Sequence, residues 1–221
     1  MSGGGAMVRQ RTEDFFERAR ARLTLEVTPA LTDPAARGVR RGDLDLDPTM
    51  WERAGVVATR PASVLVPIID RGESTVLLTQ RTAELPSHAG QVAFPGGKID
   101  PGDESPVAAA LREAREEVGL ASTLVEPIGY LDLYLTFSGF RILPTVARVK
   151  PDFTLTLNPR EVTETFEVPL SFLMNPKNHQ RKTRDWKGIA RDYYAIAFGD
   201  RYIWGITAGI LRNLYERVCS A

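Results

Sequence analysis

Three carboxylates stand close together in the stretch "REAREEVGL", Arg112 to Leu120: Glu113, Glu116 and Glu117. Residues three and four apart share a face of an α-helix. A helix here would therefore gather the three glutamates on one side, opposite Val107, Leu111, Ala114 and Val118. Like charges at that spacing cost a few tenths of a kcal/mol. Two readings follow. The acidic face is simply solvated, or its oxygens hold a hard divalent cation such as Mg²⁺ or Mn²⁺, ions that take oxygen ligands. Arg112 lies one turn before Glu116 and can pair with it or orient it. Just upstream, Gly96 and Gly97 follow the apolar "VAF", where absent side chains let backbone come close to a ligand or metal. This is no phosphate-cradling P-loop. Lys98 follows the glycines directly, and there is no GxxxxGK followed by Ser or Thr.

Such groups need a frame. Ser105 suits the cap of a helix start and Pro106 its first position, where the amide would be unpaired anyway. Gly119 suits the stop, so the spacing predicts a helix from Ser105 to Val118. "ASVLVPII" and "STVLLTQR", separated by "DRGE", predict a β-hairpin. Pro67 inside the first run points to an edge or a bulge. "VEPIGYLDLYLT", "FRILPTVARVK" and "FTLTLNP" predict further strands, and "EVTETFEVPLSFLM" a short strand or loop followed by a helical turn. "DYYAIAFGDRYIW" alternates like a strand pair around Gly199-Asp200, and the helical period begins at Ile203.

Before these, Thr12 to Leu25 reads as an amphipathic helix with Phe15, Phe16, Ala19 and Leu23 on one side, preceded by a leader "MSGGGAM". Residues 28–60, rich in Pro, Asp, Arg and Gly, read as an irregular arm. The division is thus an N-terminal helix and arm over 1–60, then one layered α/β (α+β) domain over 61–221. His179 and the run "QRKTR" at 180–184 read as exposed loop. Tyr193, Tyr194 and Trp204 read as core or interface.

The composition narrows the function classes. The chain has 221 residues, 28 basic and 28 acidic, with zero formal net charge. That balance argues against a broad electrostatic grip on nucleic acid. A single cysteine, Cys219, excludes a disulfide framework within one chain. The N-terminus lacks the apolar core of a signal peptide, and no run reaches the ~18 apolar residues of a membrane span. A cytoplasmic protein is expected.

The glycine pair and the acidic helix together resemble the Nudix box, the signature of hydrolases that cleave nucleoside diphosphates linked to another group. Arg112, Glu113, Ala114, Glu116, Glu117, Gly119 and Leu120 fit its second half. Its first acidic position falls on Asp103 counted from Gly97, and on Glu104 counted back from Arg112. "GGKIDPGD", with Asp100 and Asp103, is similar to the coenzyme A pyrophosphatase branch, whose spacer is longer. A second signature of that branch resembles "LLTQRTAELPSHAGQVAFPGG", Leu77 to Gly97, with Pro86 standing where an arginine is usual.

The resemblance implies a Nudix fold, a mixed β-sheet sandwiched between helices, and hydrolysis assisted by Mg²⁺ or Mn²⁺. It implies metal ligation by Glu116 and Glu117 with a carbonyl of Gly96 or Gly97, and Glu113 as a ligand or general base. Arg112 would steady the helix face. Arg81, Lys98, Glu161 and Glu164 are the substrate-side candidates; His88 is read as structural. The expected partner is a small nucleotide-diphosphate substrate, with no nucleic acid and no membrane, and a homodimer is left open. A Nudix-like binding module without turnover is disfavoured, because all three glutamates are present.

Overall fold

The run "RPASVLVPII" forms strand β2 (Arg60–Ile69) at the centre of the main sheet. Its side chains alternate between two cores: Val66 and Ile68 pack on one face, Leu65 and Ile69 on the other. A strand covered on both faces reads as a nearly continuous apolar run, as this one does. The computed structural model describes residues 3–36, 38–42, 45–46, 59–85, 87–186 and 189–220. Pro86, the departure from the upstream signature, lies outside them.

Strand β1 (Arg40–Gly42) comes from the N-terminal arm, and β3 (Thr75–Arg81) closes the expected hairpin with β2. Two short strands follow, β4 (Val92–Ala93) and β5 (Gly96–Lys98). After the acidic helix come β6 (Val125–Tyr130), β7 (Leu133–Leu135), β8 (Phe140–Val149) and β9 (Val162–Pro169). Among the described residues the sheet order is β1-β7-β8-β2-β3-β4, with β5 also on β2, β6 on β8 and β9 on β3. Pairing is mixed: β2 with β8 and β1 with β7 are parallel, the others antiparallel.

Pro67 is neither at an edge nor in a bulge. β5 pairs with β2 at residues 62–64 and β3 at residues 68–69. Pro67 sits where the partner changes, so its missing N–H breaks no antiparallel rung.

Helix α1 (Gly3–Arg22) starts well before the expected Thr12, so the leader is largely helical. It buries Phe15, Phe16 and Ala19 on one face of the sheet, beside helix α4 (Ile206–Leu214). Helix α2 (Pro106–Val118) covers the other face. The sheet is therefore sandwiched between helices, as expected. The short helix α3 (Leu170–Leu173) follows β9. A three-stranded sheet, β10 (Gln180–Trp186), β11 (Ile189–Phe198) and β12 (Arg201–Trp204), precedes α4. The run at 180–184 is thus a strand and not a loop, and Ile203 ends in β12 and not in a helix. No described helix is long and apolar enough to cross a membrane.

Candidate active site

Helix α2 starts and stops as its termini require. The Ser105 side chain accepts a hydrogen bond from the Ala108 amide at 3.1 Å, a cap worth about 1 kcal/mol. Gly119 takes φ 73°, and its N–H donates to the Arg115 carbonyl. The stretch 153–158, expected as a strand, runs extended past this end without pairing in a sheet. Its amides instead close the last helical carbonyls: Thr156 donates to Val118 and Asn158 to Glu117, each at 2.9 Å.

The helix does not present its three glutamates equally. Its buried stripe is Pro106, Ala109, Ala110, Ala114, Glu117 and Val118, whereas Val107 and Leu111 are only partly covered. The Glu117 side chain is 3% exposed, Glu113 16% and Glu116 49%. Glu117 therefore points inward, against the strand edge, and does not lie opposite the packed side as expected. There its Oε2 accepts a hydrogen bond from the Gly96 amide at 3.2 Å, and its Oε1 lies 3.7 Å from Arg81. Burial pushes its carboxyl up to about 7. The Gly96 amide and Arg81 oppose that shift, and the charges of Glu113 and Glu161 add to it. Burial likewise raises Glu113, against the pull of Arg112.

Gly97 faces Glu113. A Cβ at Gly97 would lie 2.5 Å from the Glu113 carboxylate, and one at Gly96 the same distance from backbone of Ser63 and Val64. Both glycines are required by close approach.

Arg112 binds the acidic groups together. Its Nε and Nη2 donate to the two oxygens of Asp103, both at 3.0 Å, and Nη1 donates to Glu113 at 2.9 Å and Glu116 at 3.2 Å. Nη2 also donates to the Lys98 carbonyl. Asp103, not the exposed Glu104, is thus the acidic group that Arg112 grips. Glu161, on the loop before β9, accepts from the Asn158 side chain at 3.0 Å and lies near enough to perturb both Glu113 and Glu117. Glu164 does not join them: Arg201 grips it with both terminal nitrogens. Lys98 contributes its carbonyl to the cluster, and its side chain is exposed.

Among the described residues, no three Asp, Glu, His or Cys side chains form a finished metal cage. The donor set still fits a hard divalent cation. All its donors are oxygens, Glu113 and Glu117 are desolvated, and Glu161 shares their field.

Beyond the glutamates, Arg81 donates its amide to Gln91, and Gln91 and His88 line the wall of a cleft of about 480 Å³. His88 takes a left-handed φ of 55° and pairs with the Gln91 side chain at 3.0 Å. Tyr193, Tyr194 and Trp204, expected as core or interface, also line this cleft. His179 moves the other way. It is 9% exposed, its Nε2 donates to the Leu173 carbonyl, and its ring stands edge-on to Tyr215.

Residues 59–187 match the family model described as NUDIX domain. The chain belongs to the Nudix family. The Nudix hydrolase NudL of Yersinia pestis (strain Pestoides F), described as uncharacterized, is 41% identical over 159 residues, covering 72% of this chain and 80% of that protein. The NudL protein of Yersinia pseudotuberculosis serotype O:1b matches equally. Among solved structures, the C. elegans Ap4A hydrolase binary complex aligns over 50% of this chain and 80% of its own, at 22% identity and TM-score 0.43. DR0079 from Deinococcus radiodurans aligns over 83% and 88%, at 15% identity and TM-score 0.48. As a Nudix hydrolase the protein acts on small nucleotide derivatives, with a divalent metal as the family's usual cofactor.

Proposed function

We propose that this Nudix hydrolase cleaves the diphosphate of coenzyme A or its acyl derivatives, giving 3′,5′-ADP and (acyl-)4′-phosphopantetheine. Water adds to one phosphorus and gives up a proton to the general base, the bridging P–O bond breaks, and the leaving phosphate takes the electron pair. The observation that carries the hydrolytic reading is Glu117, buried on the Gly96 amide with Glu113 and Glu161 in its field. The coenzyme A reading rests on the sequence from Leu77 to Gly97 and on "GGKIDPGD".

Glu116, Glu117 and a carbonyl of Gly97 would hold the cation. A bound Mg²⁺ or Mn²⁺ supplies neutralisation of phosphate charge and a more acidic water. The protein's own groups supply position. Arg112 donates to Glu113 and Glu116 and so orients both, leaving Glu113 as a further ligand or the general base. Arg81, whose buried Nε has no hydrogen-bond partner among the described residues, and the exposed Lys98 are the cations offered to phosphate. Glu161 is the second-loop carboxylate. For Glu164 to touch substrate it would have to leave Arg201.

A second reading, hydrolysis of another nucleoside diphosphate derivative such as ADP-ribose or NADH, is favoured by Pro86 in place of an arginine. The test is a panel of coenzyme A, acyl-coenzyme A, ADP-ribose, NADH and nucleoside triphosphates with Mg²⁺ or Mn²⁺, products identified by mass. Coenzyme A left intact while another compound turns over would overturn the first reading.

A further inference from the structure

The cleft beside the glutamates is built largely from outside the family-matched segment. Residues 59–187 match the family model, whereas Arg191, Tyr193, Tyr194 and Trp204 lie beyond its end, and Gly42 and Leu46 precede it. At about 480 Å³ the cleft falls in the size range of small-molecule sites, and such sites are mostly apolar with a few placed polar groups.

Two features give it a chemistry. The first is aromatic. Tyr193 and Trp204 meet edge-to-face with centroids 5.5 Å apart, and Tyr134 and Phe137 stand in the same lining. The second is cationic. Arg184 and Arg191 are directly opposite each other in the β10–β11 ladder, and both line the cleft. Two basic side chains, one from each strand, thus stand in one lining. Arg191 lies with its guanidinium 3.8 Å from the centre of the Phe137 ring, and its buried Nε has no hydrogen-bond partner among the described residues. Asp192, also in the lining, is turned to Arg181 and Thr183, which occupy its carboxylate.

Resting on the Nudix reading, we propose that this cleft selects the substrate by binding its ring-bearing half, with the base against Trp204 and Tyr193 and a further phosphate on the nucleoside held by Arg191. The route is continuous. The loop that follows Arg81 lines the cleft through His88 and Gln91, then returns to Gly96, whose amide holds Glu117. A diphosphate at the glutamates would thus leave its nucleoside on the cleft side. Arg191 and Trp204 are specificity-determining residues and touch no reacting atom.

The test is binding without turnover, by calorimetry on the full chain in chelator. The probes are ribose 5-phosphate, adenosine 5′-monophosphate and adenosine 3′,5′-bisphosphate. The expected order is bisphosphate tightest, then monophosphate, then the ringless sugar phosphate, each step about tenfold. Arg191→Gln should remove the advantage of the bisphosphate and spare the monophosphate, and Arg191→Lys should restore part of it. Trp204→Leu should weaken both nucleotides alike, and Trp204→Phe, which keeps a ring, should not. The proposal is overturned if mono- and bisphosphate bind equally to the unaltered protein. It is equally overturned if Arg191→Gln weakens both alike, or if Trp204→Leu weakens neither. Because the readout needs no catalysis, a protein that discriminates these probes yet leaves coenzyme A intact keeps the cleft and loses only the coenzyme A reading.

Discussion

Arg112 and Asp103 are joined by two parallel hydrogen bonds, Nε to Oδ1 and Nη2 to Oδ2, each 3.0 Å. The same guanidinium reaches Glu113, Glu116 and the Lys98 carbonyl. A planar fork is required for that set, and an ammonium cannot reproduce it. Asp103→Ala should therefore lower activity about 10–100-fold, and Arg112→Lys at least as much. Glu104→Ala should leave activity within about twofold of the unaltered protein, because Glu104 is outside the clamp. Steady-state kinetics on all three decide it. Equal losses from Asp103→Ala and Glu104→Ala would show that the clamp has no role.

The two glycines before Lys98 should fail differently. The three atoms nearest a Cβ at Gly97 all belong to the end of the Glu113 side chain, which can swing aside. Gly97→Ala should fold normally and lose activity on the order of 100-fold, through a displaced Glu113. A Cβ at Gly96 meets backbone of Ser63 and Val64. Gly96→Ala should cost about 3 kcal/mol of stability. Denaturant midpoints and kcat together separate the two outcomes.

Glu117 sets function against stability. Its carboxyl is raised from 4.5 to about 7, chiefly by burial. A raised folded value means that stability is fully present below pH 4.5 and is lost as pH rises from there to about 7. Glu117→Gln should be inactive, yet in chelator at pH 8 it should be more stable than the unaltered protein, by roughly 2–3 kcal/mol. At pH 5 most of that advantage should vanish. Mg²⁺ should raise the melting temperature of the unaltered protein and not of the variant, since only a folded state that binds the ion gains from it. Melting curves at both pH values, with and without Mg²⁺, test both signs.

His179 gives a second pH dependence, of opposite sign. Burial lowers its pKa below 6.5, and its Nδ1 has no partner among the described residues. A depressed folded value means that stability is present above pH 6.5 and is lost as pH falls toward the folded value. Between pH 7.5 and 5.5 the unaltered protein should lose urea resistance, and His179→Gln should lose less over the same interval. Parallel losses in the two proteins would remove His179 as the cause.

Helix α2 was legible because its limits are local chemistry: Ser105, Pro106 and Gly119 act within one turn of themselves. The inward turn of Glu117 was not. Ala109, Ala110 and Ala114 form half of the buried stripe, and small residues carry little weight beside Val107 and Leu111 when a wheel is judged by bulk. In "FTLTLNP" the alternation was real, since Phe153, Leu155 and Leu157 pack on the core under α2, but the amides went to helix carbonyls and not to a strand. β10 was missed because Gln180 to Asp185 carry no apolar alternation, and their pairing is set by the better-patterned β11. The cleft aromatics could not be told from core residues, because an apolar wall reads alike in sequence whether it faces protein or ligand.

Asn158 closes α2 through its amide, which donates to the Glu117 carbonyl, and holds Glu161 through its side chain. One residue thus ties together the chain positions of two carboxylates 44 apart in sequence, 161 against 117. The consequence is entropic. The loop carrying Glu161 is ordered when the chain folds, so its loss of conformational freedom falls on folding and is not charged again to each substrate that arrives.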